Sequence, residues 1–341
     1  MIARALAPLL AALLAVPVSA QDPSISQPPP PPTVTSLTLF AGTSEGLWRS
    51  QDWGGSWELV RGKSSGVPLE KLGAARAILP LGPQVFVAGT GGFFISSDFG
   101  ETWQPRGPTI DASALLISRY PQSDPTVFLG TATGLQKSAD AGQTYRPTGL
   151  GETPVYRLEW PGPALVAATG DGVRISGDGG ATFSGSSLPT EKKGVRAVAL
   201  SSFFAIDPVL FAAAESGGVF RSGDGARTWE PAGLAGEKVF DLVWLGPFLY
   251  AAGELGFYRS EDAGKNWTRM SDSPGRPSRL LFPLAPAAGL EAFLSTDRGV
   301  FRTVDAGVHW HPAGLAGKDV FLVATFPPPE PLTTKGKKPR R

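Results

Sequence analysis

One short pattern occurs seven times in this chain, and its spacing is the feature that most limits what the chain can fold into. The pattern reads Ser-x-Asp-x-Gly-x-Thr-aromatic, with one or two departures in several copies. Its copies cover residues 50–57, 96–103, 138–145, 176–183, 222–229, 260–267 and 303–310. Successive aspartates are separated by 46, 42, 38, 46, 38 and 43 residues. A period near forty residues is typical of repeat arrays and propellers.

Every copy is embedded in the same succession of short apolar runs. Two runs joined by a glycine-containing turn precede the pattern, as in "LFAAAESGGVFRS" at 210–222. A further run lies ahead of them, such as "KVFDLVWLG", and the aromatic residue of the pattern opens a fourth. No segment has a sustained helical period. The sequence therefore predicts an all-β fold, a seven-bladed β-propeller made of four-stranded antiparallel blades.

The two ends of the repeat array complement each other. The run "LTLFAGT" at 37–43 matches the second strand of a blade, with no first strand before it. The run "DVFLVATF" at 319–326 matches a first strand, with no second strand after it. We expect residues 319–326 to join the N-terminal blade and close the ring, because closure leaves no unpaired sheet edge.

The segments outside the array have their own compositions. Residues 1–20 combine one arginine, a short apolar run and a small-x-small end, which indicates a signal peptide and export to the periplasm or the extracellular space. Residues 21–36 are proline-rich and predict a linker. Residues 37–326 are the predicted propeller, and residues 327–341 form a proline-rich basic tail. The chain has no cysteine, so packing alone must stabilise it.

Charge and composition exclude several classes of function. Of 31 Lys and Arg, six lie outside 37–326, and of 30 Asp and Glu, two do, which leaves the body at 25 against 28, or −3. That balance argues against nucleic-acid binding. No segment is long and apolar enough to predict a membrane span. The only histidines are His309 and His311, without an evident third ligand, so we expect no metal and no other cofactor.

The repeated pattern resembles the Asp-box, or BNR repeat, of sialidases, two-lobed xyloglucanases, sortilin-type receptors and photosystem II assembly propellers. The resemblance covers residues 37–326 and implies that each box is the hairpin between the third and fourth strands, away from the ligand-binding face. An Asp that accepts backbone N–H groups and a Gly with positive φ fit such a turn. In the fifth box Ala226 replaces that Gly, which predicts strain if the position has a positive φ. The aspartates expected to be structural are Asp52, Asp98, Asp140, Asp178, Asp224, Asp262 and Asp305.

Candidate binding residues come from the opposite end of the blades. The start of the innermost strands carries charged residues that the pattern aligns at one equivalent position. They are Arg76, Arg157, Arg196, Asp241 and Arg279. The four arginines are predicted to ring the channel mouth, where guanidinium groups suit a carboxylate, sulfate or phosphate. The alternative is structural pairing between blades, for example of Arg196 with Asp241. Turns between second and third strands add Glu215, Glu254 and Arg298.

These residues favour a protein-binding or assembly scaffold that works through its channel face, with a protein partner and as a monomer. The alternative is a glycan-binding propeller or a sialidase-like glycoside hydrolase, for which Glu215 and Glu254 are candidate paired carboxylates. A sialidase needs a tyrosine nucleophile beside an acid and an arginine. Only Tyr156 lies near Arg157 and Glu159, and strand alternation turns it away from both. No catalytic residue is predicted.

Overall fold

The computed structural model describes residues 38–62, 69–118, 120–121, 123–160, 164–191, 193–283 and 291–326. The expected signal peptide, the linker at 21–36 and the basic tail lie outside these residues. Seven antiparallel sheets fill the described part, each a meander whose first strand is innermost. Each innermost strand contacts the innermost strands of both neighbouring blades, all the way round the ring. The predicted seven-bladed β-propeller is confirmed.

Blades are numbered here by their Asp-box, in chain order. The innermost strands of blades 1 to 7 are Val320–Thr325, Ala75–Leu81, Ala114–Ile117, Val155–Glu159, Val195–Leu200, Val239–Leu245 and Pro277–Leu281. The second strands are Leu39–Thr43, Gln84–Gly89, Val127–Thr131, Leu165–Thr169, Leu210–Ala214, Phe248–Gly253 and Ala292–Thr296. Residues of the second strands are almost all buried, because a blade lies against each of their faces.

The outer strands are shorter and more exposed toward the rim. The third strands are Gly46–Ser50, Gly92–Ser96, Gly134–Ser138, Gly172–Ser176, Val219–Ser222, Gly256–Ser260 and Gly299–Thr303. The fourth strands are Glu58–Leu59, Gln104–Arg106, Arg146–Pro147, Glu230–Pro231, Thr268–Asp272 and His311–Pro312, for all blades except blade 4. A short 3-10 helix, Leu69–Leu72, precedes blade 2 and buries both of its leucines.

Blade 4 differs from the prediction of four strands. Its outermost segment keeps a single bridge, Ile175 to Ser184. Beyond that bridge, Ser186 donates its N–H at 2.9 Å and its hydroxyl at 3.0 Å to the carbonyl of Ala226 in blade 5. The segment therefore binds the next blade and does not continue its own ladder.

Ring closure occurs as predicted. Leu39–Thr43 pairs antiparallel with Val320–Thr325, with Leu39 opposite Thr325 and Ala41 opposite Val323. This pairing supplies blade 1 with its innermost strand. The hydrophobic core is divided into clusters that each join two adjacent blades, such as the one that packs Phe128 of blade 3 on Leu158 and Leu165 of blade 4. Packing between blades therefore holds the ring together without a disulfide.

The meander gives the propeller two distinct faces. The upper face carries the starts of the innermost strands, the turns between second and third strands and the connections to the next blade. The lower face carries the ends of the innermost strands and the seven Asp-box turns. Among the described residues, no helix is long and apolar enough to cross a membrane.

Candidate functional site

The repeated aspartates are each engaged inside their own turn. In blade 5, Asp224 accepts the Ser222 hydroxyl at 2.8 Å, the Thr228 N–H at 3.0 Å and the Thr228 hydroxyl at 2.6 Å. The same three contacts recur in the other six turns. Asn266 and a ring nitrogen of His309 take the place of the threonine hydroxyl in blades 6 and 7. The geometry fits a structural fastener.

These hydrogen bonds also favour the charged carboxylate. The hydroxyl and N–H of Thr144, followed by the Ser138 hydroxyl, lower the pKa of Asp140 to about 2. The N–H and side-chain amide of Asn266 lower the pKa of Asp262 to about 2 as well. The turns are therefore held by full negative charges over the physiological pH range.

Two consecutive residues of each turn have positive φ. The first follows the aspartate and is often not glycine, as in Trp53 at 61° and Phe99 at 59°. The second is glycine in six turns and Ala226, with φ of 63°, in blade 5. The condition for strain at Ala226 is therefore met, since a left-handed conformation brings a Cβ close to the neighbouring carbonyl.

The charged residues predicted at one equivalent position occupy two different registers, so that alignment was wrong. The innermost strands of these blades begin with a β-bulge. Arg76 and Arg196 are the inserted residues, whereas Arg157, Asp241 and Arg279 come one residue later and pair with the second strand. A bulge adds one residue without changing the apolar pattern on either side, so residue spacing cannot reveal it.

An ion-pair network crosses the channel below the mouth. Arg157 of blade 4 donates from Nη1 to Asp241 of blade 6 at 2.6 Å and from Nε to Glu159 at 2.8 Å. The other oxygen of Asp241 accepts the N–H of Leu280 in blade 7 at 2.8 Å. The intervening blade 5 has only Ala197 at the matching register, which leaves space for the arginine. The network ties three blades together.

Burial and charge explain the protonation of this network. The Asp241 side chain is 1 % exposed and that of Arg157 is 17 % exposed. Burial lowers the pKa of Arg157, but the nearby charges of Asp241 and Glu159 outweigh it, so the pKa is raised above its ordinary value. The pairing of Arg196 with Asp241 considered from the sequence is wrong, because Arg157 takes that partner.

Two further arginines are paired at the channel mouth. Arg76 donates to Asp111 at 2.6 Å, and Arg196 donates to Glu215 at 2.6 Å. The Arg196 guanidinium also lies over the ring of Tyr156, 4.6 Å from its centroid, as a cation–π contact. Both arginines are more exposed than Arg157, so these pairs contribute little to stability but shape the surface of the mouth.

Arg279 differs from these three arginines. Among the residues that the structure describes, none forms a hydrogen bond or an ion pair with its guanidinium. Burial, followed by repulsion from Arg157, lowers the pKa of Arg279 to about 10. The guanidinium still remains charged at neutral pH.

The upper face contains two cavities with shared walls. The mouth cavity, of about 300 Å³, is lined by Arg76, Arg157, Arg196, Arg276 and Arg279, with Asp319 as its one acidic residue in the described chain. A groove of about 810 Å³ continues from it over blades 2, 3 and 4. The residues that line both are Arg76, Ser113 and Tyr156. The mouth is thus strongly cationic, and the groove is more apolar.

A third cavity, of about 460 Å³, lies at the lower end of the channel between blades 4, 5 and 6. Its walls include Trp160, Trp244 and Glu159. Arg157 lines both this cavity and the mouth cavity. Its ion pairs therefore lie between the upper and lower ends of the channel.

The BNR/Asp-box repeat family matches residues 94–105, which include the second turn. The same turn geometry recurs on all seven blades, so the repeated motif and the fold are both established. This chain is a seven-bladed Asp-box propeller. No curated protein sequence matches it significantly.

Solved structures with the same fold include three of interest. The xyloglucanase of family GH74 from Xanthomonas campestris matches with a TM-score of 0.63 and 12% identity, over 83% of this chain and 52% of the enzyme. The propeller therefore spans about half the length of that enzyme. YCF48 from Cyanidioschyzon merolae matches with a TM-score of 0.57 and 14% identity, over 80% of this chain and 97% of YCF48. YCF48 bound to a D1 peptide matches with a TM-score of 0.52 and 15% identity, over 69% and 80%.

The remaining predicted residues of the Asp-box propeller do not converge on one site. Glu215 is paired with Arg196, and Glu254 lies 3.4 Å from Lys238. Neither glutamate lines the mouth cavity or the groove, so the two carboxylates do not flank a shared substrate site there. Arg298 is exposed at its turn, where its backbone N–H donates to Thr296 and its carbonyl accepts the N–H of Gly317. The described residues contain no cluster of three or more metal-ligating side chains.

Sequence reasoning missed several residues of the propeller mouth. Asp111 and Asp319 come from connections between blades, and Arg276 and Ser278 flank the start of blade 7. Their only sequence signal is proximity to the start of an innermost strand, which is shared by many residues. The sequence suggests only a nucleophile role for Tyr156, yet in the structure this residue lines both upper cavities.

Proposed function

We propose that this propeller is exported and acts as a scaffold whose upper face binds a protein partner. One observation carries the proposal. The cationic mouth cavity and the more apolar groove are continuous through Arg76, Ser113 and Tyr156. A continuous trough that is basic at one end and lined mainly by uncharged residues along the rest of its length suits an extended peptide segment bearing acidic groups.

Two further facts support a binding role over catalysis. Three of the four predicted arginines already have acidic partners. These ion pairs hold the side chains of the upper face in place and leave their carboxylates engaged, not available as a general acid or base. YCF48, which has the same fold over nearly its whole length, has been solved with a bound peptide. The similarity concerns the fold alone. YCF48 is therefore a precedent for peptide binding by a propeller of this size.

The test is a cross-linking capture from envelope extract with residues 21–341 as bait. The variant Arg76→Gln/Arg196→Gln alters the mouth and spares the buried network. The matched control, Arg146→Gln/Arg227→Gln, removes the same charge from exposed positions at the rim. We expect a protein captured by the wild type and the control and lost by the mouth variant. Cross-links should map to Lys238 or Lys318 on the upper face, and not to Lys137 or Lys265 near the boxes.

The opposite results are equally specific. Equal capture by both variants, with cross-links near the boxes, would show that the upper face is not the binding surface. Recovery of glycans without any protein would replace the scaffold by a glycan-binding propeller.

A further inference from the structure

The arginines of the mouth are neutralised unequally. Asp111 pairs with Arg76, Glu215 pairs with Arg196, and Arg157 has two acidic partners. Each of these arginines therefore carries its counter-charge with it. Arg279 lines the same cavity and has no acidic partner in hydrogen-bonding range among the described residues.

Asp241, whose negative charge acts on Arg279, is already engaged by other donors. Asp241 directs one oxygen at Arg157 and the other at the N–H of Leu280, at 2.6 and 2.8 Å. Burial is the larger cause of the lowered Arg279 pKa, and repulsion from the charge of Arg157 adds to it. A partly buried cation without a partner is costly, and a bound anion would remove that cost.

The walls beside Arg279 suit such an anion. Ser278 and Arg276 line the same cavity. No described hydrogen bond engages the Ser278 hydroxyl or the Arg276 guanidinium, so both are available as donors. Asp319, at the start of the neighbouring innermost strand of blade 1, is the one acidic residue among the described walls of this cavity.

We propose that the mouth cavity is a specific site for a single small oxyanion group, a carboxylate, sulfate or phosphate, held by Arg279 of blade 7. Arg76, Arg157 and Arg196 are already paired, so they set the positive potential while Arg279 makes the direct contact. The site shares the upper face with the proposed partner surface, but it does not require a protein ligand.

The experiment measures binding of inorganic sulfate to the purified chain by titration calorimetry and by thermal unfolding, with chloride replaced at constant ionic strength. The variants are Arg279→Gln and the matched control Arg298→Gln, an exposed arginine on the upper turn of the same blade. We expect saturable binding by the wild type and the control. Arg279→Gln should weaken it by roughly tenfold or more, the effect of losing a charge-assisted hydrogen bond.

General salt stabilisation is separable from the site. Sulfate exclusion from protein surfaces raises the unfolding temperature without saturation and equally in all three proteins. Arg279→Gln should also unfold no earlier than the wild type in chloride, because it removes a repelled charge. Equal saturable binding by wild type and Arg279→Gln, or no saturable binding by the wild type, would overturn the proposal.

The source of the oxyanion is distinguished by a second pair of ligands. An acetylated tetra-alanine peptide is compared as the free acid and as the C-terminal amide, in competition with sulfate. Competition by the free acid alone identifies a peptide carboxylate as the ligand, and competition by neither peptide identifies a free small anion. Saturable sulfate binding together with no protein captured in the cross-linking experiment would refute the proposed function and support the oxyanion site.

Discussion

A phenylalanine at Val166 should destabilise the propeller by itself and should be tolerated once Ala226 becomes glycine. In the six Asp-box turns that have glycine at this position, a Cβ there would lie between 2.1 and 3.6 Å from a phenylalanine ring of the preceding blade. The pairs are Gly54 with Phe293, Gly100 with Phe40, Gly142 with Phe93, Gly180 with Phe128, Gly264 with Phe211 and Gly307 with Phe257. The ring leaves no room for a methyl group at Gly142 and Gly307, crowds one at Gly100, Gly180 and Gly264, and would be in ordinary contact with one at Gly54.

The contact between this turn position and the preceding blade is made by different residues in blade 5. Val166 has the same register in blade 4 as Phe128 has in blade 3, one residue after the partner of the box serine. Val166 and Ala226 are both fully buried in one cluster. A smaller residue on one side therefore accompanies the added methyl on the other.

The magnitudes follow from this geometry. Overpacking by Val166→Phe should cost about 1–3 kcal/mol. Ala226→Gly loses a buried methyl, worth about 0.8 kcal/mol, and adds unfolded-state freedom, worth about 0.4–1 kcal/mol. Relief of the left-handed conformation returns about 1–2 kcal/mol, so this variant should lie close to the wild type. The double variant should recover most of the loss, which gives a coupling of about 1–3 kcal/mol.

The assay is equilibrium urea unfolding of the four proteins of this cycle, followed by tryptophan fluorescence, with the slope checked for constancy. A double variant whose change equals the sum of the two single changes would refute the reasoning. So would a Val166→Phe protein as stable as the wild type.

Three other perturbations test the fold and the ion pairs. Arg157→Met leaves Asp241 buried without its counter-charge and should lower the stability by about 3–5 kcal/mol. The double variant Arg157→Met/Asp241→Asn should restore most of this loss in thermal unfolding. A single variant as stable as the wild type would contradict this. The folded pKa values of Asp140 and Asp262 are about 2, below the ordinary value near 4. A carboxyl group whose pKa is lower in the folded than in the unfolded state adds stability above the unfolded pKa, so the stability of the protein should fall from about pH 4 towards pH 2. The fall should be less steep in Asp140→Asn/Asp262→Asn. Unfolding temperatures that fall equally in the two proteins from pH 5 to 2.5 would contradict this. Deletion of residues 319–341 should expose the edge of Leu39–Thr43 and cause aggregation in size-exclusion chromatography, and a monomer with a wild-type melt would disprove the closure argument.

Much of this architecture was predictable because it repeats. Spacing of the boxes and the mismatch of the two ends were sufficient for blade number and ring closure, since each relies on local pattern alone. Positive φ at Ala226 was also foreseeable from the glycine that its six counterparts share. The upper face was less predictable, because it depends on contacts between residues far apart in the chain.

The network of Arg157 illustrates the limit. Its partner Asp241 lies two blades away and 84 residues later. Only the bulge at the start of each strand and the small Ala197 between them decide that these side chains meet. Neither the bulge nor the crossing distance leaves a trace in the apolar pattern. The grouping of the four arginines at the mouth could be predicted, and their choice of partners could not.

The closing strand also has a consequence for timing. Residue 39 pairs with residue 325, so the first blade waits for nearly the whole chain before its sheet is complete. During synthesis at a ribosome, blades 2 to 7 have all their strands while blade 1 still presents an open edge. Contacts so distant in sequence form slowly, because the entropy cost of closing a long loop comes before the contacts can stabilise the fold. A chain of this design therefore completes its ring only after synthesis has reached residue 325.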